Sequence, residues 1–406
     1  MKDAAMGVRF NSKRVLIAGG GIGGMTAALA LLRRGFDVEV YEQAGELREV
    51  GAGFHVTPNA FRVLHSIGIG DAVAANACIA AGREIRLWST GEVWSLFQLG
   101  ADAVEKYGFP YLTVYRPDLL AALVDAVLAI KPDAIRLHSV CQGFDQDANG
   151  VTLRHSQGVA HGDVLIGADG VHSRVRQLLF GGGESRYSGL VAWRGLIPME
   201  RLPDRMRKPV TSTWIGPRGH FVHYPVHGGK FMNLVGNSES DRDWREESWC
   251  IRGTTEECLT DFPGWHDDLK MLISRIDQPY KWALMSRPPM DRWSDGAVTL
   301  LGDACHPTLP FLGQGACMAI EDGYILARAL EAEEDVPEAL RRYENARRER
   351  TARIVNGSAA NADRYQNRVL ADTDTAREYV AREFATDEVR GRLDWIYAYN
   401  VDEVPV

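Results

Sequence analysis

The sequence contains no uninterrupted apolar run approaching the roughly 20 residues that a membrane-spanning helix needs. The segment from Met1 to Arg14 is polar and lacks the apolar core of a signal peptide. Only six cysteines occur in 406 residues, no two of them form a C-x-x-C pair, and no cluster of His, Cys or acidic residues has metal-ligand spacing. These absences predict a cytoplasmic protein with reduced thiols, no membrane anchor and no bound metal.

An excess of basic residues is also missing. The chain carries 46 Lys and Arg against 54 Asp and Glu, a net charge of -8, which argues against a nucleic-acid partner. The G-x-S-x-G motif typical of serine hydrolases is absent too. The chain is longer than the ~250–300 residues that one hydrophobic core usually serves, so we expect two joined domains and a terminal extension.

The strands predicted for one nucleotide-binding sheet lie in separate parts of the sequence. Continuous apolar runs predict buried strands at 15–18, 38–41, 162–166 and 298–301. At 190–236, short alternating runs rich in Val, Trp, Tyr and Phe predict an antiparallel sheet. The fold class is therefore predicted to be α/β: a Rossmann-like domain interleaved with a β-rich substrate domain and followed by C-terminal helices.

A glycine-rich turn follows the first predicted strand, with the spacing Gly19-x-Gly21-x-x-Gly24. The first glycine permits the tight turn, the second lets the backbone approach a pyrophosphate, and the third lets the helix pack on the strand. The helix predicted from Met25 to Arg34 would offer its N–H groups to the phosphates. Glu42 ends the next predicted strand, where a carboxylate can accept hydrogen bonds from ribose hydroxyls. This order predicts a dinucleotide site but does not distinguish NAD from FAD.

Two further motifs resemble those of the group A FAD-dependent aromatic hydroxylases. Residues 163–176 (DVLIGADGVHSRVR) resemble their DG motif, and residues 301–307 (LGDACHP) resemble their GD motif. The resemblance extends over roughly residues 12 to 360. It implies FAD as cofactor, with Asp303 on the ribityl chain and Asp169 near the pyrophosphate, where it helps to form the pyridine-nucleotide site. The alternative for each aspartate is that it caps a helix or a turn.

Other cofactor contacts are expected around these motifs. Gly313, Gly315 and Ala316 precede or begin an apolar helix that is predicted to end near Ala332, and their N–H groups would face the N1–C2=O edge of the flavin. Arg116, at a predicted helix start, contacts FAD in similar enzymes; a solvated first-turn arginine is the alternative. The remaining residues predicted to contact FAD are Ile22 in the glycine-rich turn, Arg48 and Gly53 in the loop that crosses from the adenosine part of the cofactor site to the flavin part, and Pro310.

Two histidines and a tyrosine are the candidates for proton transfer to or from the substrate. In a strand, His220 and Tyr224 project from the same face. Relatives that hydroxylate hydroxybenzoates or hydroxynicotinate have a similar His-x-x-x-Tyr, and a histidine like His55 occurs in 6-hydroxynicotinate hydroxylases. A histidine can take a phenolic proton because its pKa lies near working pH. The alternative is that these are packed structural residues. Some 3-hydroxybenzoate 6-hydroxylases have Gln where Pro310 stands, which disfavours that regiochemistry.

The resemblance also implies the reaction. NADH or NADPH would reduce FAD, and O2 would then form a flavin C4a-hydroperoxide that hydroxylates a small phenolic acid, salicylate or another monohydroxybenzoate. The alternatives are 6-hydroxynicotinate 3-hydroxylation and a flavin oxidoreductase of the same fold that acts on a non-aromatic substrate. The expected partners are a small aromatic acid and O2, and whether the chain forms a homodimer stays open.

The resemblance divides the chain into six segments. These are FAD-binding parts at 12–80, 116–185 and 291–360, substrate-domain parts at 81–115 and 186–290, and a C-terminal helical extension at 361–406. The basic run from about Pro337 to Arg353 has helical spacing and is predicted to be a solvated helix, with phosphate binding or a dimer contact as the alternative.

Overall fold

The computed structural model describes residues 13–47, 52–183, 185–240 and 251–406. The strands in this part of the chain are β1 (Arg14–Ala18), β2 (Asp37–Tyr41), β3 (Gly53–Val56), β4 (Cys78–Ile79), β5 (Gly82–Leu87), β6 (Val93–Gln98), β7 (Leu112–Tyr115), β8 (Ile135–Arg136), β9 (Cys141–Asp147), β10 (Gly150–His155), β11 (Gly158–Gly162), β12 (Val164–Gly167), β13 (Arg186–Pro198), β14 (Val210–Gly216), β15 (Gly219–Val226), β16 (Phe231–Glu239), β17 (Tyr280–Ser286), β18 (Ser294–Asp295) and β19 (Val298–Leu300). The α-helices are α1 (Ile22–Leu32), α2 (Pro58–Ser66), α3 (Gly70–Asn76), α4 (Gly100–Tyr107), α5 (Arg116–Ile130), α6 (Arg174–Phe180), α7 (Thr255–Asp261), α8 (Asp267–Ser274), α9 (Gly315–Ala332), α10 (Val336–Tyr365), α11 (Thr373–Glu383) and α12 (Thr386–Tyr397).

A six-stranded sheet collects strands from distant parts of the chain in the order β18-β19-β12-β1-β2-β8. All of its neighbouring strands are parallel except the edge pair β18–β19. Its central strands are continuously apolar because helices cover both faces of a parallel sheet. The predicted strand at 162–166 is wrong in one respect. It is broken at Asp163, which accepts a hydrogen bond from the backbone N–H of Arg14 at 2.6 Å, and Gly162 belongs to a separate antiparallel sheet, β11-β10-β9.

A seven-stranded sheet forms the β-rich part in the order β17-β13-β16-β15-β14-β5-β6. One face packs its apolar side chains against α7 and α8. The other face packs against the C-terminal helices and the segment around Phe311. The small sheet β3-β7-β4 joins the two parts. The Gly53 N–H of β3 donates to Asn233 Oδ1 of β16 at 2.7 Å, and the Thr113 hydroxyl of β7 donates to the Pro225 carbonyl of β15 at 2.5 Å. These bonds tie the small sheet to the seven-stranded sheet.

This arrangement confirms the predicted fold class. The segment 81–115 contributes β5 and β6 to the seven-stranded sheet, whereas β7 pairs with β3 and β4. Helix α10 runs past residue 360 to Tyr365, so the last proposed boundary falls inside a helix. The division into six segments stays a proposal. Among the described residues, no helix is both long enough and apolar enough to span a membrane.

The prediction of a solvated basic helix is wrong for two of its arginines. Arg347 and Arg350 face inward from α10 and are almost fully buried. Arg347 pairs with Glu321 at 2.6 Å and with Asp322 at 2.7 Å, and Arg350 pairs with Glu321 at 2.8 Å. The helical spacing was correct, but α9 supplies carboxylates that make burial of this face favourable.

Candidate functional site

The glycine-rich turn between β1 and α1 leaves an open cradle. Gly19 has φ +111°, and a Cβ there would lie 2.3 Å from the Ala168 carbonyl oxygen. A Cβ on Gly24 would lie 2.1 Å from the Gly19 carbonyl oxygen, which explains the tight packing of helix on strand. Gly21 is the exception, because a Cβ on it would have no atom within 4 Å. It is the N-cap of α1, and no side chain caps this helix start.

The carboxylate of Glu42 is held beside this cradle. It accepts hydrogen bonds from the backbone N–H groups of Gly20, at 2.7 Å, and of Ala44, at 2.8 Å. These bonds fix its position at the end of β2, next to the turn. Ile22, at the start of α1, is buried, and Arg48 lies outside the described residues.

Asp169 caps helix α6, one of the two alternatives that the sequence left open. Its carboxylate accepts hydrogen bonds from the Ser173 hydroxyl at 2.5 Å and from the backbone N–H groups of Arg174, at 2.7 Å, and Val175, at 3.1 Å. The backbone of residues 168–169 lies directly against Gly19. The DG motif is therefore adjacent to the cradle, with the Asp169 carboxylate already committed to the helix.

Asp303 differs from Asp169 in that its side chain is exposed and, within the described residues, accepts no hydrogen bond. Protein surrounds it nonetheless: burial raises the pKa of Asp303, while His306 and Arg116 act in the opposite direction. Being both accessible and surrounded, the carboxylate lies in a recess. The half-buried Arg116 at the start of α5 shares this recess, since burial lowers the pKa of Arg116 and Asp303 counteracts the effect.

The start of α9 presents backbone N–H groups that no side chain caps. Its N-cap residue, Gln314, is buried, and its side chain bonds Thr57 at 3.1 Å and Asn59 at 3.2 Å. Gly313 precedes it with φ +64°, which turns the chain into the helix. The N–H groups of the first turn, beginning with Gly315, thus remain available to an electronegative ligand atom.

These three features fit FAD. The open cradle at Gly21 suits a pyrophosphate, the recessed carboxylate of Asp303 suits a polyol, and the uncapped start of α9 suits the polar edge of an isoalloxazine. All three lie at the ends of elements that surround the six-stranded sheet, where α/β folds bind nucleotides.

His55 and Tyr224 lie together beside the loop that precedes α9 and contains Gly313 and Gln314, here called the α9 loop. Their ring centroids are 4.3 Å apart, and a Cβ on Gly313 would lie 3.2 Å from His55 Cδ2. Burial lowers the pKa of His55 to about 3, with a smaller effect from Arg83. Its Nδ1 atom is buried and has no hydrogen-bond partner among the described residues. The Tyr224 hydroxyl donates to the Gly53 carbonyl at 2.9 Å.

His220 lies in a different setting, with both ring nitrogens engaged. Its Nε2 is 3.1 Å from the amide nitrogen of Asn237, and its Nδ1 is 2.9 Å from that of Gln366. The ring also contacts Phe311 and Tyr365, with centroids 5.0 and 5.2 Å away. Burial lowers the pKa of His220 to about 3, so the ring is neutral at pH 7. In this arrangement neither ring nitrogen is free to receive a substrate proton.

One cluster departs from the sequence interpretation, which found no ligand spacing for a metal. Potential ligand atoms of Cys305, His306 and Asp322 lie within 4.8 Å of one another. The Asp322 carboxylate, however, already bonds His306 at 2.6 Å and Arg347 at 2.7 Å. The folded chain thus uses this cluster in an ion-pair network behind the GD motif.

A group of polar residues that the sequence patterns did not predict lies on the same face of the seven-stranded sheet as His220. Arg83 projects from β5 into the neighbourhood of three tyrosines, Tyr111, Tyr365 and Tyr397. A signal was present in the sequence, because in a strand Arg83 lies on the same face as Ile85 and Leu87, which are buried. A lone cation on an apolar strand face is unusual, and it marks a position that needs a polar partner.

Comparisons with known proteins agree with this geometry. A family model described as an FAD binding domain matches residues 12–358. The 3-amino-4-hydroxybenzoate 2-monooxygenase of Streptomyces platensis is 36% identical over 395 residues, covering 96% of this chain and 97% of the relative. The 3-hydroxybenzoate 6-hydroxylase of Polaromonas naphthalenivorans is 36% identical over 402 residues, covering 95% and 96%. The structure of Klebsiella pneumoniae HpxO with FAD and uric acid has a TM-score of 0.82 at 27% identity, covering 97% of both chains.

Proposed function

The chain belongs to the group A FAD-dependent aromatic hydroxylases, and from this premise we propose that it hydroxylates a small benzoate that already carries a ring hydroxyl. It is a flavoprotein monooxygenase with NAD(P)H as co-substrate. The names of both curated relatives specify a hydroxybenzoate. Salicylate, 3-hydroxybenzoate and 4-hydroxybenzoate are therefore the first compounds to test, with 6-hydroxynicotinate as the alternative ring.

The observation that carries this proposal is the contact between the α9 loop and the aromatic pocket. Gly313 lies against His55, so the loop that suits the flavin edge borders the group formed by the half-buried His55 and the buried Tyr111 and Tyr224. An aromatic ring bound there would lie close to the flavin. Mostly apolar walls would exclude water, which competes for reactive oxygen species.

When bound, FAD would accept a hydride from NAD(P)H and, with O2, supply the electrophilic oxygen. The residues of this chain bind and orient. Gly21 and the start of α1 would hold the pyrophosphate, Asp303 the ribityl hydroxyls, and the start of α9 the flavin edge. The Nδ1 atom of His55, which has no hydrogen-bond partner among the described residues, would accept the phenolic proton as the ring is oxygenated.

The decisive experiment is stopped-flow reduction of the bound flavin by NADH and by NADPH across a panel of aromatic acids. The panel contains the three hydroxybenzoates and 6-hydroxynicotinate, with benzoate as a control that lacks the hydroxyl. At least one hydroxylated acid is expected to accelerate reduction and to yield a product with one oxygen atom from ¹⁸O2. If every compound leaves reduction at the background rate, the phenolic-acid assignment fails.

Replacing His55 tests the assignment of the proton acceptor. His55→Gln is expected to lower turnover by about 10²–10⁴-fold at pH 7, the usual loss when a general base is removed. The loss should shrink as the pH approaches the ordinary pKa of a phenol, near 10, because the substrate then ionises unaided. Product formation is measured against pH at constant FAD content.

His220→Gln is the matched control, because glutamine preserves a polar group between Asn237 and Gln366. We expect it to cost less than tenfold in turnover, with no change in the shape of the pH profile. The assignment to His55 is wrong if His55→Gln stays within threefold of the wild type while His220→Gln shows the large, pH-dependent loss.

A further inference from the structure

A cation without a carboxylate partner in the described part of the chain lies among three tyrosines. Arg83 is half-buried, and its Nε is fully buried and donates no hydrogen bond within the described residues. Its electrostatic neighbours are the side chains of Tyr111, Tyr365 and Tyr397. No carboxylate in the described part of the chain forms an ion pair with it. The adjacent Glu84 pairs instead with Arg86, at 2.8 Å, and projects to the opposite face of the sheet.

Other buried polar atoms around Arg83 also lack partners within the described ranges. Thr211 on β14 is in register with Arg83 on the parallel strand β5, so their side chains share one face. The Oγ1 atom of Thr211 is buried and makes no hydrogen bond there, and the buried hydroxyl of Tyr397 interacts with the side chains of Arg83 and Tyr111. The Nδ1 atom of His55 is also buried and has no hydrogen-bond partner among the described residues. Buried polar groups in folded proteins are nearly always satisfied, so several such groups in one place indicate a polar ligand.

Aromatic contacts connect Arg83 with both sides of the proposed substrate pocket. On one side, Tyr111 contacts Tyr397 at 5.7 Å and His55 at 5.4 Å between ring centroids. On the other side, Tyr365 contacts His220 at 5.2 Å. The cation is therefore enclosed by the rings that border the flavin-facing loop.

We propose that Arg83 is the residue that binds the substrate's carboxylate, with the hydroxyls of Tyr397 and Thr211 as additional donors. This inference rests on the proposed function and deepens it, because it states why the substrate must be an aromatic acid. A guanidinium matches a carboxylate with two parallel N–H···O bonds. With its carboxylate held at Arg83, the ring would extend towards His55 and the α9 loop.

The charges around Arg83 favour an anion. A small cavity beside it is lined by Asn361, Tyr365 and a second cation, Arg392. Arg392 donates to the backbone carbonyl of Glu383, and its distance to the Glu383 carboxylate is 3.8 Å. The half-buried Arg83 guanidinium interacts with tyrosine hydroxyls but with no carboxylate of the described residues, and a bound carboxylate would balance its charge. An uncharged analogue would leave the cation unpaired and should be rejected.

The wild-type holoenzyme provides the first test, through paired ligands that differ only in charge. Dissociation constants are measured from the perturbation of flavin absorbance by salicylate, 3-hydroxybenzoate and 4-hydroxybenzoate and by their three amides. The acid that accelerates flavin reduction should bind at least about 100-fold more tightly than its amide. If an amide binds as tightly as its acid and is hydroxylated, the proposed function stands and the role of Arg83 is refuted. If neither acids nor amides bind, both proposals fail.

Three variants provide the second test. Arg83→Met should weaken binding of the acid by about 30-fold or more while changing that of the amide by less than threefold. Arg83→Lys should recover part of the difference, since it keeps the charge but not the planar pair of donors. Arg86→Met, on the opposite face of the same strand, should leave the ratio of acid to amide unchanged. Equal weakening of acid and amide by Arg83→Met, with normal FAD content and melting temperature, would show that Arg83 only supports the fold. If Arg83→Met does not fold, the ratio in the wild type decides.

Discussion

Gly21→Val is expected to abolish FAD binding while the apoprotein remains folded. Gly21 has φ -71° and ψ -178°, a conformation open to any residue, and a Cβ on it would meet no protein atom within 4 Å. The apoprotein therefore loses at most about 1 kcal/mol, from a poorer N-cap residue. The branched side chain, however, would occupy the space in which a pyrophosphate meets the N–H groups of α1. Loss of two such charge-assisted bonds corresponds to roughly a 10³-fold or greater loss of affinity.

Two other glycines make the comparison informative. Gly100→Val also adds a side chain at a helix start with open space around it, on α4, and should leave both FAD affinity and stability unchanged. Gly24→Val should fail to fold, because its Cβ would lie 2.1 Å from the Gly19 carbonyl oxygen. Calorimetric titration of each apoprotein with FAD and thermal melting followed by circular dichroism separate these outcomes. A Gly21→Val protein that binds FAD within tenfold of wild-type affinity would contradict the placement of the pyrophosphate.

Arg347→Met should lower the free energy of unfolding by about 3–5 kcal/mol. Arg347 is fully buried between Glu321 and Asp322, which are also fully buried. Removing it leaves two carboxylates in the interior with fewer partners. Arg341→Met is the matched control on the same helix. Arg341 is exposed and pairs with Glu338 at 2.5 Å, and loss of such a surface pair should leave the free energy of unfolding nearly unchanged. Urea unfolding of the apoproteins at pH 7 measures both changes.

The same network predicts a dependence of stability on pH. Burial alone would raise the pKa values of Asp322 and Glu321. The neighbouring His306 and Arg347 lower the pKa of Asp322, so that it lies below its normal value. Arg350 and Arg347 lower the pKa of Glu321 in the same way. Carboxylates of this kind stabilise the fold above their ordinary pKa, near 4, and lose that contribution as the pH falls through the lower folded value. Arg347→Met should therefore unfold at a higher pH than the wild type on acid titration. Coincident acid-unfolding curves for the two proteins would refute this role for the network.

Much of the cofactor region was predictable because it depends on local spacing. The glycine-rich turn, the DG and GD motifs and the bounds of α9, Gly315–Ala332, all follow from patterns within a few residues. The substrate region was less predictable. Alternation along β15 places His220 and Tyr224 on one face, but it does not show that Asn237 and Gln366 occupy both nitrogens of His220. Those partners come from β16 and from the end of α10.

The nucleotide-binding fold, the family and the glycine and aspartate positions predicted to bind FAD could be inferred from the sequence, because regular elements and tight turns are encoded by residues close along the chain. Which charged and polar groups are buried, and what they contact, followed from the tertiary structure alone. It placed Arg347 against two carboxylates on α9 and left Arg83 among tyrosines without a carboxylate. Burial and ion pairing depend on what packs against a residue from distant segments, and neither composition nor periodicity specifies that neighbour.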